Sequence, residues 1–440
     1  MSMKTVSVIG LGKLGASMVA GFASRGLSVV GVDVDESAVN KLNTGIAPVQ
    51  ETGLQDLINE NADRIRSTLS TEEAVLNTDL TFVIVPTPSK VDGSFSTRFA
   101  EKAFEEIGRA LQKKDSYHVV VLTSTVMPGA TRNILLPILE KFSGKMCGKD
   151  FGLCYSPEFI ALGTVIRDFL NPDFYLVGQF DDRSGNVLQE INDLVAINKA
   201  PSKRLSIENA ELAKISVNSF VTMKITFANI LSEICEQLPE GDVDQVSDAL
   251  GLDTRIGRKY LTGGMGFGGP CFPRDNVAFS FLAEKMSVDS SVPMANHNFN
   301  LGLATKLALK ISQMVERSKR VGVLGLSYKP LSHVIEESSG ILLCQKLSDL
   351  GYKLNVHDPL ALENARATLS SSVRFFEDPN QCILDSDLVV VANPDPAYQS
   401  VDWQALAESK GVLRVYDCWR FLRELQRIPA IQYQASGYNK

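Results

Sequence analysis

Val6-Ser7-Val8-Ile9-Gly10-Leu11-Gly12-Lys13-Leu14-Gly15 lies near the start of the chain and decides its fold class. A short apolar run predicts a buried strand, glycines follow at Gly-x-Gly-x-x-Gly spacing, and a Gly-poor helical stretch leads to a second strand over Leu27–Val32 that ends on Asp33. Gly10 suits the tight turn, Gly12 the close approach of a pyrophosphate and Gly15 the packing of helix on strand, with the helix N-terminus facing the phosphates. Asp33 stands about 20 residues on, where a carboxylate receives the hydroxyls of an adenosine ribose and repels a 2′-phosphate. A glycine motif alone is weak, but strand before, helix after and acid at the next strand end make Gly10, Leu11, Gly12, Lys13, Leu14, Gly15 and Asp33 a site for NAD rather than NADP.

Further strands are expected at Leu80–Val85, Val119–Leu122 and Gly152–Tyr155. Their ends carry Pro86-Thr87-Pro88, Ser124-Thr125-Val126 and Pro157-Glu158-Phe159, which a doubly wound sheet brings to its ligand crevice. From Ile207 to Leu238 neither Gly nor Pro occurs and apolar residues recur at helical spacing, predicting one long helix. Its apolar stripe reads as packing between domains or subunits. Lys214 and Asn218, four apart, share a face; on a generic helix such a pair is a solvated edge, so it acquires meaning only from its company.

That company includes Gly268-Gly269-Pro270-Cys271-Phe272-Pro273-Arg274-Asp275. Two glycines would admit a ligand close to the backbone and two prolines stiffen the loop around one cysteine. A thiolate there would add to an aldehyde; a lone cysteine in a turn is otherwise an inert buried residue. The last block repeats the α/β pattern at Arg320-Val321-Gly322-Val323-Leu324-Gly325-Leu326, followed by strands ending near His357, Ala392 and Tyr416. It lacks the third phosphate-loop glycine and is expected to receive another nucleotide group. The expected architecture is α/β: two Rossmann-like doubly wound domains, residues 1–200 and 317–440, joined by a central helical domain, 201–316.

Composition excludes other classes. The 440 residues are 44% hydrophobic and 22% charged with a net charge of −7, ordinary for a soluble multidomain protein and without the basic footprint of a nucleic-acid binder. No signal-peptide pattern opens the chain and no apolar run reaches membrane-spanning length, so a cytoplasmic protein is expected. Seven scattered cysteines without Cys-x-x-Cys spacing read as reduced thiols, and the four histidines show no ligand pairing, so no metal is implied.

In this order the motifs resemble the nucleotide-sugar 6-dehydrogenase family, the UDP-glucose/GDP-mannose dehydrogenases, and are closest in type to the UDP-glucose enzymes. The resemblance spans nearly the whole chain and also includes Asp253-Thr254-Arg255-Ile256-Gly257 and Gly325-Leu326-Ser327-Tyr328-Lys329-Pro330. It implies a four-electron oxidation of a primary alcohol to a carboxylate by two NAD in turn, serving polysaccharide synthesis. By resemblance Lys214 and Asp275 flank the reacting oxygen, Asn218 donates to it, Cys271 holds the aldehyde as thiohemiacetal and then thioester, and Glu158 activates the hydrolytic water. Thr125 steadies water and nicotinamide, while Pro86 and Thr87 border the cofactor. Phe159, Ile160, Tyr260, Leu261, Phe267, Gly268 and Lys329 match substrate contacts. Arg255 matches an arginine that enters a neighbouring subunit's site, which implies a homodimer or higher homo-oligomer.

Four departures stand out. Leu162 replaces a second carboxylate, Arg274 the usual lysine of the cysteine loop, and Ser332 to Glu336 a segment bearing an arginine. Asp417-Cys418-Trp419-Arg420 replaces Asp-Gly-Arg, so either Arg420 or Trp419 stands where the family has its substrate arginine; Arg420 is taken as the substrate contact. GDP-mannose or a UDP-N-acetylhexosamine remain alternative substrates. A single-hydride β-hydroxyacid dehydrogenase, which has no need of Cys271, and a catalytically silent NAD-binding scaffold are the rival readings.

Overall fold

The computed structural model of the chain describes residues 5–161 and 163–439, so Leu162 lies outside the described residues. The chain divides into two compact units, Met1–Ser216 and Val217–Lys440.

The first unit is built on one eight-stranded sheet. Its strands are β1 (Thr5–Ile9), β2 (Ser28–Val32), β3 (Ile65–Thr68), β4 (Leu80–Val83), β5 (Val119–Leu122), β6 (Gly152–Tyr155), β7 (Tyr175–Gln179) and β8 (Ser202–Ser206). They lie in the order β3-β2-β1-β4-β5-β6-β7-β8, parallel except where β6 meets β7. Strand residues alternate between two cores: Val6, Val8 and Val29 pack on one face, Ile9, Val30 and Val32 on the other. Burial on both faces is why these strands read as apolar runs rather than as alternating ones. The sheet grows outward in both directions from β1 and β4, and the crevice at their C-terminal ends is the switch point where such folds bind ligands.

In the second unit, β9 (Gly241–Asp242) pairs antiparallel with the C-terminal β16 (Tyr438–Asn439). A six-stranded sheet is formed by β10 (Arg320–Leu324), β11 (Lys353–His357), β12 (Arg374–Phe375), β13 (Leu388–Val391), β14 (Leu413–Asp417) and β15 (Ile431–Ala435), in the order β12-β11-β10-β13-β14-β15. This repeats the central topology of the first sheet, and the two strand-to-helix turns correspond atom by atom. Gly10 donates to Val32 O and Gly325 to His357 O. Leu11 donates to the Asp33 carboxylate at 2.5 Å, and Leu326 to that of Asp358 at 2.7 Å.

The third glycine, missing by sequence spacing, is present in space as Gly340. A Cβ there would collide with Gly325 O, as one at Gly15 would with Gly10 O. The spacing differs because the second fold inserts the segment Ser327–Ser338 between strand and helix. That insertion occupies its own crevice. Asp358 Oδ2 accepts from the Leu326 and Ser327 amides and the Ser327 hydroxyl, its Oδ1 from the Leu360 and Ala361 amides, while Asn393 donates to Ser327.

The long helix runs Ile207–Cys235, three residues short of the Gly- and Pro-free run. Phe220, Phe227 and Ile234, two turns apart along one face, are about half exposed or more. No helix among the described residues is long and apolar enough to cross a membrane.

Candidate active site

The phosphate loop has the shape its glycines predict. Gly10 has φ +101°, and a Cβ on it would strike the carbonyl oxygen of Ile84. Gly12 faces open space, with nothing within 4 Å of an added Cβ, and it begins the helix Lys13–Ser24 without a side-chain cap. The helix N-terminus is therefore open to a ligand, and a pyrophosphate fits there. Leu11 is buried, so its part is structural, through the amide that fixes Asp33; the other Asp33 oxygen receives the Asp35 amide at 2.9 Å. Lys13 and Leu14 are half-buried at the rim.

The ends of β4 and β5 are tied together. The Ser124 hydroxyl receives the Val85 amide and donates to Val85 O, and the Thr87 hydroxyl donates to Thr125 O at 2.7 Å. Pro86, exposed, and Thr125, half-buried, thus border one crevice. A residue absent from the sequence expectations completes it. Glu211, fully buried, accepts from the Gly129 amide at 2.6 Å and the Thr131 amide at 2.9 Å. Burial pushes its carboxyl up to about 7. Its position three residues before Lys214, on the same helix face, was the available signal.

Lys214 is 8% exposed. Its ammonium donates to Glu158 O at 2.6 Å and lies 4.4 Å from the centre of the Phe159 ring, which also packs on Phe174. Glu158 and Ile160 keep part of their surface. Even so, desolvation raises the Glu158 carboxyl to about 7, against the opposing charge of Lys214. A carboxylate with that affinity for a proton is suited to general-base work near neutrality.

In the second unit Cys271 caps the helix Phe272–Lys285 and is exposed, whereas the other six cysteines are buried. Burial pushes Cys147, Cys154 and Cys344 up to about 12, leaving Cys271 as the accessible thiol. One turn on, Asp275 is 1% exposed and accepts from the Asn218 amide at 2.6 Å, with the Arg274 guanidinium 3.4 Å from its other oxygen.

Gly268 and Gly269 do not leave room for a ligand; the chain itself covers them. A Cβ on Gly268 would strike Glu337 O, and one on Gly269 would lie 2.5 Å from the Tyr328 ring, while Gly269 donates to Glu336 O at 3.0 Å. The glycines before Cys271 thus accommodate the Ser327–Ser338 insertion, which also carries Lys329, half-buried beside Tyr328.

The remaining expected contacts are dispersed. Leu261 and Phe267 are buried, and Asn300 engages both the amide and the carbonyl of Phe267. Tyr260 is half-exposed at φ +68°. Arg255 is exposed and forked onto Asp253. Arg420 departs from the expected substrate contact: its side chain has no exposed surface, its donors being taken by Asp244, Thr262 O, Gly263 O and Ser436 O. Sequence spacing gave no sign of this because Asp244 lies far away along the chain.

Comparison with known proteins gives a consistent result. Family models described as the NAD binding, central and UDP binding domains of the UDP-glucose/GDP-mannose dehydrogenase family match residues 4–195, 208–301 and 322–424. The chain is 37% identical to UDP-glucose 6-dehydrogenase AglM of Haloferax volcanii, over 91% of this chain and 92% of that one. It is 32% identical to GDP-mannose 6-dehydrogenase of Azotobacter vinelandii, over 90% and 93%. The solved UDP-glucose dehydrogenase of Pyrobaculum islandicum superposes with a TM-score of 0.88 at 33% identity, covering 99% of this chain and 98% of that one. With three successive domain models of one family matched along its length, and a phosphate loop whose glycines fit the dinucleotide, the chain belongs to the UDP-glucose/GDP-mannose dehydrogenase family of NAD-dependent nucleotide-sugar 6-dehydrogenases.

Proposed function

We propose that the protein oxidises the C6 hydroxyl of UDP-glucose to the uronic acid, with Cys271 as a covalent tether between two oxidations. One alcohol, two NAD and one water give one carboxylic acid, two NADH and two protons. NAD, when bound, supplies the hydride acceptor in each half. Lys214 and Asp275 handle the O6 proton and stabilise the developing alkoxide, with Asn218 donating to the same oxygen. The Cys271 thiolate adds to the aldehyde carbon, its oxygen taking a proton, and the thiohemiacetal loses its hydride and that proton to become a thioester. Glu158 takes a proton from water as that water attacks the thioester, and the cysteine leaves as thiolate. Thr125 orients this water.

The observation that carries the reading is the buried Asn218–Asp275 pair one turn below the accessible thiol. A buried carboxylate held by an amide beside an exposed cysteine is a constellation for oxygen and sulfur chemistry, and a packing core has no need of it. The 37% identity to a UDP-glucose 6-dehydrogenase supports the substrate. The exposed face of Phe220, Phe227 and Ile234 supports a homodimer built on the long helix.

A panel of UDP- and GDP-sugars with NAD tests the function by the ratio of NADH formed to sugar consumed. Two NADH per UDP-glucose is the expected result. Two per GDP-mannose, by analogy with the Azotobacter vinelandii relative, reassigns the substrate. One NADH per substrate removes the covalent route, and no turnover on any member of the panel removes the enzyme.

A further inference from the structure

The Tyr260–Gly268 loop opens on a non-glycine residue held in the left-handed region. Tyr260 has φ +68° and Gly263 φ +58°, and three successive carbonyls in it are gripped by guanidinium groups. Arg258 donates to Leu261 O; Arg420 donates to Thr262 O at 2.6 Å and Gly263 O at 3.0 Å. Beyond them, Gly264 donates to the Asn229 side chain at 2.6 Å.

Arg420 is ion-paired with Asp244, whose two oxygens meet it at 2.9 and 3.0 Å. A guanidinium without exposed surface requires both a counter-charge and a full set of acceptors. Asp244 also binds Arg423 at 2.7 Å and lies 3.9 Å from Arg258. Arg258 has its own closer carboxylate in Asp248, at 2.5 Å, and Arg423 is forked onto Asp242, so Asp244 is above all the counter-charge of Arg420, the arginine that holds two of the three carbonyls.

We infer that Asp244 and Arg420 are positioning residues that set the shape of the nucleotide-sugar cradle, so that Arg420 acts on the substrate through the loop and not by contact. This rests on the reading of Tyr260, Leu261, Phe267 and Gly268, and so of the loop they span, as substrate contacts. Leu261 and Phe267 bury their side chains and have their main-chain groups held by Arg258 and Asn300, so what they contribute to recognition is the shape of the loop, which the clamp imposes. Arginine suits this clamp because its planar fork reaches a carboxylate and several carbonyls together, which a lysine ammonium does not.

The test is a double-mutant cycle on the full chain with Asp244→Asn, Arg420→Lys and both, read by the KM of each substrate and by the rate of trypsin cleavage after Lys259, an exposed residue immediately before the loop. Each single change is expected to raise the nucleotide-sugar KM ~10-fold and speed cleavage, the KM for NAD staying unchanged, and the double variant to do no more than the worse single. Arg258→Gln, which breaks no fully buried charge pair, is expected to shift both readouts in the same direction by ~3-fold and keeps the test available where a buried change prevents folding. An Arg420→Lys effect on KM with Asp244→Asn silent, additive KM effects, or unchanged cleavage in every variant overturns the clamp. Faster cleavage in a protein whose wild type oxidises no nucleotide sugar leaves the clamp standing and removes the functional reading instead.

Discussion

Lys214 donates its ammonium to the backbone carbonyl of Glu158 at 2.6 Å, so the cation that would steady the alkoxide is anchored on the residue that would activate water. Desolvation raises the Glu158 carboxyl to about 7 and Lys214 opposes the rise. A base must be ionised to act, so thioester hydrolysis is expected to increase with pH through about 7 and level off above it. Glu158→Gln is expected to slow hydrolysis by ~10²-fold or more and to accumulate a sugar adduct visible in the intact-protein mass. Unchanged turnover would identify another group as the base.

Cys271→Ala is expected to abolish formation of the acid, and Cys271→Ser to stall at an ester that hydrolyses slowly. Product analysis by chromatography checks both. Full acid production by the alanine variant removes the tether.

Asp275→Asn retains size but leaves the Asn218 amide facing a weaker acceptor in a buried site. We expect a kcat loss of ~10²-fold or more, with a stability loss of about 1–3 kcal/mol measured by denaturant unfolding. A change in stability alone would make the pair purely structural.

Glu158 and Glu211 both have folded-state values near 7 against an ordinary 4.5. A carboxyl raised on folding contributes stability that is fully present below the ordinary value and lost as pH rises through the folded one. The melting temperature is therefore expected to fall between about pH 5 and pH 8, with a shallower fall in Glu158→Gln/Glu211→Gln. Scanning calorimetry at the two pH values measures the slope; equal slopes would mean that neither site protonates on folding.

The first phosphate loop and the strands around it were legible because their signals are local: a glycine spacing, apolar runs and an acid at a strand end. Cys271, Lys214, Asn218 and Asp275 were singled out through resemblance, and the sequence pointed to the Asn218 face but not to the hydrogen bond with Asp275. Three features were illegible because their partners are remote in the chain. Gly268 and Gly269 looked like room for a ligand, yet Tyr328 and Glu337 fill that room. Gly340 escaped notice because an insertion displaces it from the expected spacing. The environment of Arg420 depends on Asp244, Thr262 and Ser436, and no window along the sequence contains all three.

The plugged crevice of the second α/β fold has a consequence for traffic through the enzyme. Four backbone amides and the Ser327 hydroxyl already occupy the Asp358 carboxylate that would otherwise receive a ribose, which argues against a second berth for a dinucleotide in this fold. Under the proposed reaction both oxidations would be served in sequence at the first fold's site, and the spent NADH would have to depart before the next NAD arrives. During that interval a diffusible aldehyde would leave with the queue, and the tether proposed for Cys271 would let a one-berth enzyme finish a two-step oxidation.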